Sequence, residues 1–340
     1  MSAHEHSLDP GAVRMQLLDV LGGFLRTQAL HTVARLGVAD LVGEKPVRVE
    51  ELAARVDADP SALHRVMRLL ASLGIFSEAE SGAFVATALS DGLREDHPAS
   101  VRYMAMQQGS PTYLAAGEML QAVQTGEPVA DAIFGMSLFE YLAADPEASD
   151  IFNRAMAGGA AGRAAAALGY DWSSVSIVAD IGGGNGSLLT AVLDVHSHLR
   201  GVIFDLPHVV AEARPLIEEA RLSDRCETAA GDFFTDALPP ADVYVLAQIL
   251  HDWDDERAVA ILRNCRRSIA DDGRLLVVEQ VLPEGDEPSY GKLLDLIMLV
   301  LLGGKERTRS EWPALLREGD FKLVGITPGP LTSLIEAAPA

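Results

Sequence analysis

The feature that most constrains this chain is the alternation that begins at Ser176. Five short apolar runs, "SIVADI", "GVIFDL", "RCETAAGDF", "DVYVLAQIL" and "GRLLVVEQVL", are separated by stretches of helical character. Runs of this length bounded by Gly, Asp and Pro read as strands covered on both faces. Parallel neighbours must be joined by crossovers, so strand–helix alternation predicts a doubly wound, mainly parallel α/β sheet. Two more strand-like runs, "FKLVGITPG" and "TSLIEA", close the chain. In such a sheet, ligands bind beyond the carboxyl ends of the strands, so the turns that follow each run are where chemistry is sought.

The first half is organised differently. Apolar residues recur at helical spacing from Met15 to Val42. "VEELAARVDADPSALHRVMRLLASLGIFSE" then predicts a helix, a turn at Asp57–Pro60 and a second helix, with Asp59 or Ser61 as its cap and Pro60 in its first turn. "GIFSEAESGAFVAT" returns as a two-stranded wing. The unit reads as a winged helix over 1–100, followed by a helical connector over 101–169 and the sheet domain over 170–340. A winged helix invites a DNA-binding reading. Against it, Arg48, Arg55, Arg65 and Arg68 are cancelled by Glu50, Glu51, Asp57 and Asp59, and the second helix has no basic face. Packing or dimerisation is the expected role.

Charge supports that choice. A formal net charge of −22 opposes nucleic acid and anionic lipid. No apolar run reaches the 18 residues of a membrane span, and "MSAHEHSLDP" lacks the order of a secretion signal. The two cysteines, Cys226 and Cys265, make neither a disulfide framework nor a zinc site, so a reducing cytoplasmic setting is expected. The pairs His4/His6 and His196/His198 have H-x-H spacing but no acidic or cysteine partner, and no metal is expected.

"DIGGGNG", Asp180 to Gly186, follows the first strand and opens a helix. Glycine there lets backbone approach a ligand closely. The spacing at Gly182, Gly184 and Gly186 is G-x-G-x-G, not the G-x-G-x-x-G of dinucleotide sites, which counts against a nicotinamide dehydrogenase. Asp180 would repel a pyrophosphate but could orient the loop or favour a bound ammonium, pointing to an aminoacyl-like ligand such as S-adenosylmethionine, whose sulfonium and α-amino groups are cationic. Asp205, followed by Leu206, ends the second strand where it can accept from ribose hydroxyls. Asp232 ends the next, placed for an adenine amino group, with Phe233 as an apolar wall.

In "LAQILHDWDDERAV" the apolar tail from Leu246 to Leu250 gives way to Asp254, Asp255 and Glu256, acids suited to a first helical turn. His251 thus stands at a strand-to-helix corner. Asp252 either contacts a ligand or simply starts the helix, and Trp253 packs. Met156 and Met298 are among the methionines that can line an adaptable aromatic pocket.

Taken together, "DIGGGNG", "FDLPHV", "GDFF", "LHDWDDE", "VVEQVLP" and "GGKERT" resemble, in this order, the winged-helix O-methyltransferases of plant phenolic and bacterial antibiotic pathways. The resemblance spans about Val20 to Ile335. It implies a Rossmann-like methyltransferase sheet, a homodimer made through the N-terminal domain, and metal-independent methyl transfer from S-adenosylmethionine to a hydroxylated aromatic. It implies His251 as general base, flanked by Glu279 and Glu306, and "FNRAM" as substrate wall through Phe152 and Met156. An imidazole with an ordinary pKa of about 6.5 could take a phenol's proton at neutral pH, with both glutamates holding the ring. Two rivals remain: a relative that hydroxylates or decarboxylates around the same cofactor, and a ligand-sensing regulator that a gel-shift titration would reveal.

Overall fold

The structure is a computed structural model that describes residues 9–340, so His4 and His6 lie outside the described residues. The chain forms two compact units, one running up to Tyr113 with Asp145–Gly158, the other joining Leu114–Ala144 to Gly159–Ala340. The stretch expected as a single connector, 101–169, is shared out between them.

In the first unit the helical run expected over Met15 to Val42 is broken. Asp9 caps a helix at Pro10–Leu21, and a second occupies Gly23–Leu36. Gly22 interrupts the run, and Gly37, at φ 65°, ends it in the left-handed region that favours glycine. Strand β1 (Val47–Arg48) leads to helix Val49–Arg55 and then to Pro60–Ser72. The cap there is Asp59, whose Oδ1 accepts from the Ala62 amide at 2.7 Å, with Pro60 just inside the helix. The wing is β2 (Phe76–Glu80) against β3 (Ala83–Ala86), and the small antiparallel sheet has the order β1-β3-β2. Leu52, Leu63, Met67, Leu70, Phe76 and Phe84 fill its core.

The second unit is built on a seven-stranded sheet. Its strands are β4 (Ile177–Ile181), β5 (Arg200–Asp205), β6 (Cys226–Ala230), β7 (Val243–Ala247), β8 (Arg274–Glu279), β11 (Phe321–Thr327) and β12 (Ser333–Pro339), in the order β11-β12-β8-β7-β4-β5-β6. Strands β4 to β8 are parallel, while β12 runs antiparallel to β8 and pairs with β11 at the edge. A short parallel pair, β9 (Val281–Leu282) with β10 (Arg307–Thr308), stands apart.

Alternate residues of each central strand feed two cores. Ala179, Ile181, Tyr244, Leu246, Leu275 and Val277 enter one, and Val178, Val243, Val245, Leu276 and Val278 the other. Burial on both sides is why these runs are continuously apolar. The strand order reverses at β4, with β5 on one side and β7 on the other, which makes the carboxyl edge of β4 and β7 the crevice of the sheet. Because Asp180 pairs in register with Val245, the glycine loop and the histidine turn emerge side by side.

Cys226 and Cys265 are buried and unpaired, and burial pushes both thiols up to about 12, so neither supplies a thiolate. Among the described residues no helix is long and apolar enough to cross a membrane.

Candidate active site

The loop after β4 gets its shape from three glycines at positive φ: Gly182 at 72°, Gly184 at 58° and Gly186 at 79°. A Cβ on Gly182 would lie 2.5 Å from Ile249 Cδ1 and 3.5 Å from Phe233, so only glycine lets the backbone pass there. At Gly184 the same atom would meet nothing within 4 Å. That glycine faces open space, while its amide donates to Asp205 Oδ2 at 2.9 Å. Asp205 Oδ1 accepts from the Leu206 amide at 2.7 Å, and Leu206 itself is 43% exposed. Two amides thus aim the Asp205 carboxylate along the loop. Asp180 is buried, and its pKa is pushed up to about 7 by burial and by the charge of Asp205, with Arg163 pulling the other way.

Beyond β6, Asp232 Oδ1 accepts from the Phe234 amide at 2.8 Å, so this acid caps its own turn whatever else it does. Asn264 Nδ2 donates to the carbonyls of Phe233 and Asp236, both at 2.8 Å, and fixes the same turn. The rings form a wall: Phe234 meets Trp253 edge-on at 4.9 Å, Phe233 meets it at 6.3 Å, and Phe139 lies on it at 6.4 Å. Trp253 therefore packs, as expected, with the Arg257 guanidinium over its ring.

The strand expected to run to Leu250 stops at Ala247. Gln248 adopts φ 56°, rare for a side-chain-bearing residue, and a single 3-10 turn carries Leu250–Asp252. Asp254 Oδ1 then caps the helix Asp255–Ser268 by accepting from the Arg257 amide at 2.8 Å. His251 is buried in that turn, with its Nδ1 2.6 Å from Glu306 Oε1 and its Nε2 3.3 Å from Asp252 Oδ1. Gly304 is what admits Glu306: a Cβ there would lie 2.0 Å from the His251 carbonyl oxygen. The Glu306 amide in turn donates to Asp295 Oδ1 at 2.9 Å.

Glu279 is placed differently from Glu306. Its Oε1 accepts from the backbone amides of Leu250 (2.7 Å) and His251 (3.1 Å), so it holds the turn and not the ring. Its Oε2, like Glu306 Oε2, is buried without a hydrogen-bond partner. Arg307, fully buried, donates to the carbonyls of Leu250 and Trp253 and pairs with Asp255, fixing the turn from the far side.

So many carboxylates change the imidazole. Burial pulls the His251 pKa down, but Asp252, Glu306 and Glu279 outweigh it and push it up to about 10, well above the ordinary 6.5 that sequence suggests. Burial also raises Glu279 to about 7 and Asp252 to about 6, with His251 opposing in both. Near neutral pH the imidazole therefore keeps its proton.

Of the remaining residues read from sequence, Met298 is buried on the helix Tyr290–Leu301. Phe152 and Met156 are half-buried on the helix Pro146–Gly158 of the first unit, four residues apart and so on one face. Sequence reading missed Arg163 and Gln248, joined by a 2.9 Å hydrogen bond across 85 positions, and it missed Arg307. The only signal for Arg307 was its place beside Glu306. For Arg163 there was an isolated cation in an alanine-rich helix.

A doubly wound sheet with a glycine loop beyond one strand and a buried histidine–carboxylate pair beyond its neighbour is the arrangement of a protein that binds a small ligand at the switch point of the sheet. Comparison with known proteins narrows it. Residues 117–322 match the model of the O-methyltransferase domain, and residues 18–96 that of the O-methyltransferase dimerisation domain. The chain belongs to this O-methyltransferase family, whose members use S-adenosylmethionine as methyl donor. It is 46% identical to phenazine O-methyltransferase PhzM of Lysobacter antibioticus, over 97% of this chain and 98% of that one. The solved O-methyltransferase NcsB1 from neocarzinostatin biosynthesis, in complex with S-adenosylmethionine and 2-hydroxy-5-methyl naphthoic acid, superimposes with a TM-score of 0.81 at 32% identity, covering 92% and 96% of the two chains. The chain is also 36% identical to aclacinomycin 10-hydroxylase RdmB of Streptomyces purpurascens, over 87% and 81%.

Proposed function

We propose that this enzyme methylates a hydroxyl of a small fused-ring aromatic metabolite, a polyketide, naphthoate or similar phenol, with His251 as general base, and that it acts as a homodimer. The observation that carries the reading is the buried His251–Glu306 pair, 2.6 Å apart, in the turn beyond β7, the strand that pairs with β4. The phenazine and naphthoic acid in the names of its relatives support the acceptor class.

The residues at the strand ends fit the donor. Gly184 opens on unfilled space, Asp205 is a carboxylate held by two amides with lone pairs left for ribose hydroxyls, and Phe233 presents a ring edge to Gly182. Asp180, Gly182, Gly184, Asp205, Leu206, Asp232 and Phe233 are assigned to it. When bound, S-adenosylmethionine supplies an electrophilic methyl group on a positively charged sulfur, a charge that lowers the pKa of a nearby imidazole.

His251 takes the acceptor's proton. A phenol ionises near pH 10, and the carboxylates bring the imidazole to about 10, so the proton moves between them at little cost. Glu306 holds Nδ1, which leaves Nε2 for the acceptor and stabilises the imidazolium. Glu279 keeps the turn rigid, and Asp252, beside Nε2, orients the hydroxyl. Phe152, Met156 and Met298 are assigned to the acceptor wall by family likeness. The presence of the histidine and both glutamates supports methylation over hydroxylation for this chain.

Dimerisation rests on the N-terminal helix. Pro10–Leu21 buries none of its residues and exposes Met15, Leu17, Leu18, Val20 and Leu21. A patch of that kind is an interaction surface, and the dimerisation-domain match that begins at residue 18 supports a second copy as its occupant. Leu18→Glu combined with Leu21→Glu should halve the mass measured by light scattering; an unchanged mass would count against this surface.

The test of the reaction is incubation with labelled methyl donor and a panel of phenols, naphthoates and anthraquinones. Label should reach a phenolic oxygen. His251→Ala should still bind S-adenosylhomocysteine in calorimetry but lose turnover by roughly 10²-fold or more. Undiminished turnover would remove His251 from the mechanism.

A further inference from the structure

One cation stands out at the glycine loop. Arg163 projects from the helix Ala160–Leu168 of the second unit, and its Nη1 donates to Gln248 Oε1 at 2.9 Å. Gln248 is itself held in the left-handed region at φ 56°, with its amide donating to the Val278 carbonyl at 3.0 Å, so its side chain is a fixed post for the guanidinium. Burial lowers the Arg163 pKa against the attraction of Asp180, and Arg163 is the cation that opposes the raised pKa of Asp180. A guanidinium is therefore kept in a half-buried place, against the turn that follows β7, at the cost of its hydration. Its helix packs on the one that opens the loop, Ser187–Val195, whose cap residue Gly186 offers no side chain.

The charges here match a zwitterion. Asp180 and Asp205 favour positive groups, and Arg163 favours a negative one. On the donor reading above, the tail to be bound carries an ammonium and a carboxylate on one carbon. We propose that Arg163 receives the α-carboxylate of the donor's amino-acid tail, while Gln248 locks the guanidinium in place. A guanidinium has five N–H donors in one plane, so it can bond Gln248 and a carboxylate together, which a lysine ammonium on a flexible stem cannot do with the same geometry. The assignment makes Arg163 a determinant of which adenosine derivatives the site accepts: those with the amino-acid tail over those without.

Calorimetric titration of two probes into the full-length protein tests this. S-Adenosylhomocysteine carries the tail; 5′-methylthioadenosine lacks it and keeps the adenosine. Arg163→Met should weaken the first by roughly ten- to a hundredfold, the worth of a charge-assisted hydrogen bond, and leave the second within about twofold on the same scale of effects. Arg163→Lys should give an intermediate loss for the first and none for the second, and serves if the methionine variant does not fold. Equal weakening of both probes would make Arg163 a structural residue and overturn the proposal, as would unchanged binding of S-adenosylhomocysteine. Failure of the wild-type protein to bind S-adenosylhomocysteine would overturn the donor reading itself.

Discussion

After β4 the chain presents backbone to the crevice; after β7, one strand over, it presents buried charge. The glycine loop is shaped by positive φ angles and by amides that anchor Asp205. The histidine turn is shaped by three carboxylates, Glu306 and Asp252 on the imidazole and Glu279 on the backbone amides beneath it. The difference decides how each can fail. A surface made from backbone geometry fails by steric collision, which pH does not alter, even though Asp180 at the root of the loop has its own pKa pushed up to about 7. A surface made from buried ionisable groups keeps its shape only while their protons are in the right places.

The sharpest way to break the comparison is at Gly182. Gly182→Val puts a branched side chain at φ 72° with its Cβ about where Ile249 already stands, so affinity for S-adenosylhomocysteine should fall by roughly a hundredfold or more at every pH. A loss that disappears at one end of the pH range would show that collision at Gly182 is not its cause.

The turn should respond to chemistry more than to shape. Glu279→Ala strands two buried amides, those of Leu250 and His251, and should cost about 2–5 kcal/mol of stability in denaturant titration. Glu279→Gln keeps an acceptor oxygen and should cost under about 1 kcal/mol. Equal losses would mean that the carboxylate's charge, not its acceptor atom, holds the turn.

A smaller effect is expected at Asp252, and it is read in pH. His251 acts as a base only above its own pKa, so kcat/KM should climb with pH from neutral toward about 10. The Asp252 charge is the strongest of the influences that raise that value. Asp252→Asn should therefore move the ascending limb toward neutral, by about one pH unit. A limb that stays in place, or moves to higher pH, would remove His251 from the rate profile.

These two regions also differ in how much of them could be read from sequence. Strands β4, β7 and β8 were legible because burial on both faces forces continuous apolar runs, the half-exposed edge strand β6 only from its place in the strand–helix alternation, and the loop because glycine at fixed spacing reports φ directly. Asp59, one of the two caps that the sequence offered, has its partner three residues away, and so has Asp254, read as a first-turn acid and found to be the cap itself. His251 was recognisable as a corner residue, and its pairing with Glu306 was suggested by family likeness. Sequence placed Glu279 on the ring as well, whereas the structure puts it on the backbone amides. The left-handed turn at Gln248 and the end of the strand at Ala247 were not visible, since nothing in "LAQIL" announces a positive φ.

What the sequence determined alone is whatever depends on neighbours along the chain: strand and helix positions, caps, the conformational freedom of the loop, and the surplus of negative charge. What only the tertiary structure decided is whatever depends on groups brought together from afar. His251 meets Glu306 across 55 positions, and Arg163 meets Gln248 across 85. The basicity of the imidazole belongs to this second kind, because it is set by burial and by the charges of Asp252, Glu306 and Glu279 summed through a low-dielectric interior. Local pattern fixes backbone torsions; only folding fixes the distances on which Coulomb energies depend.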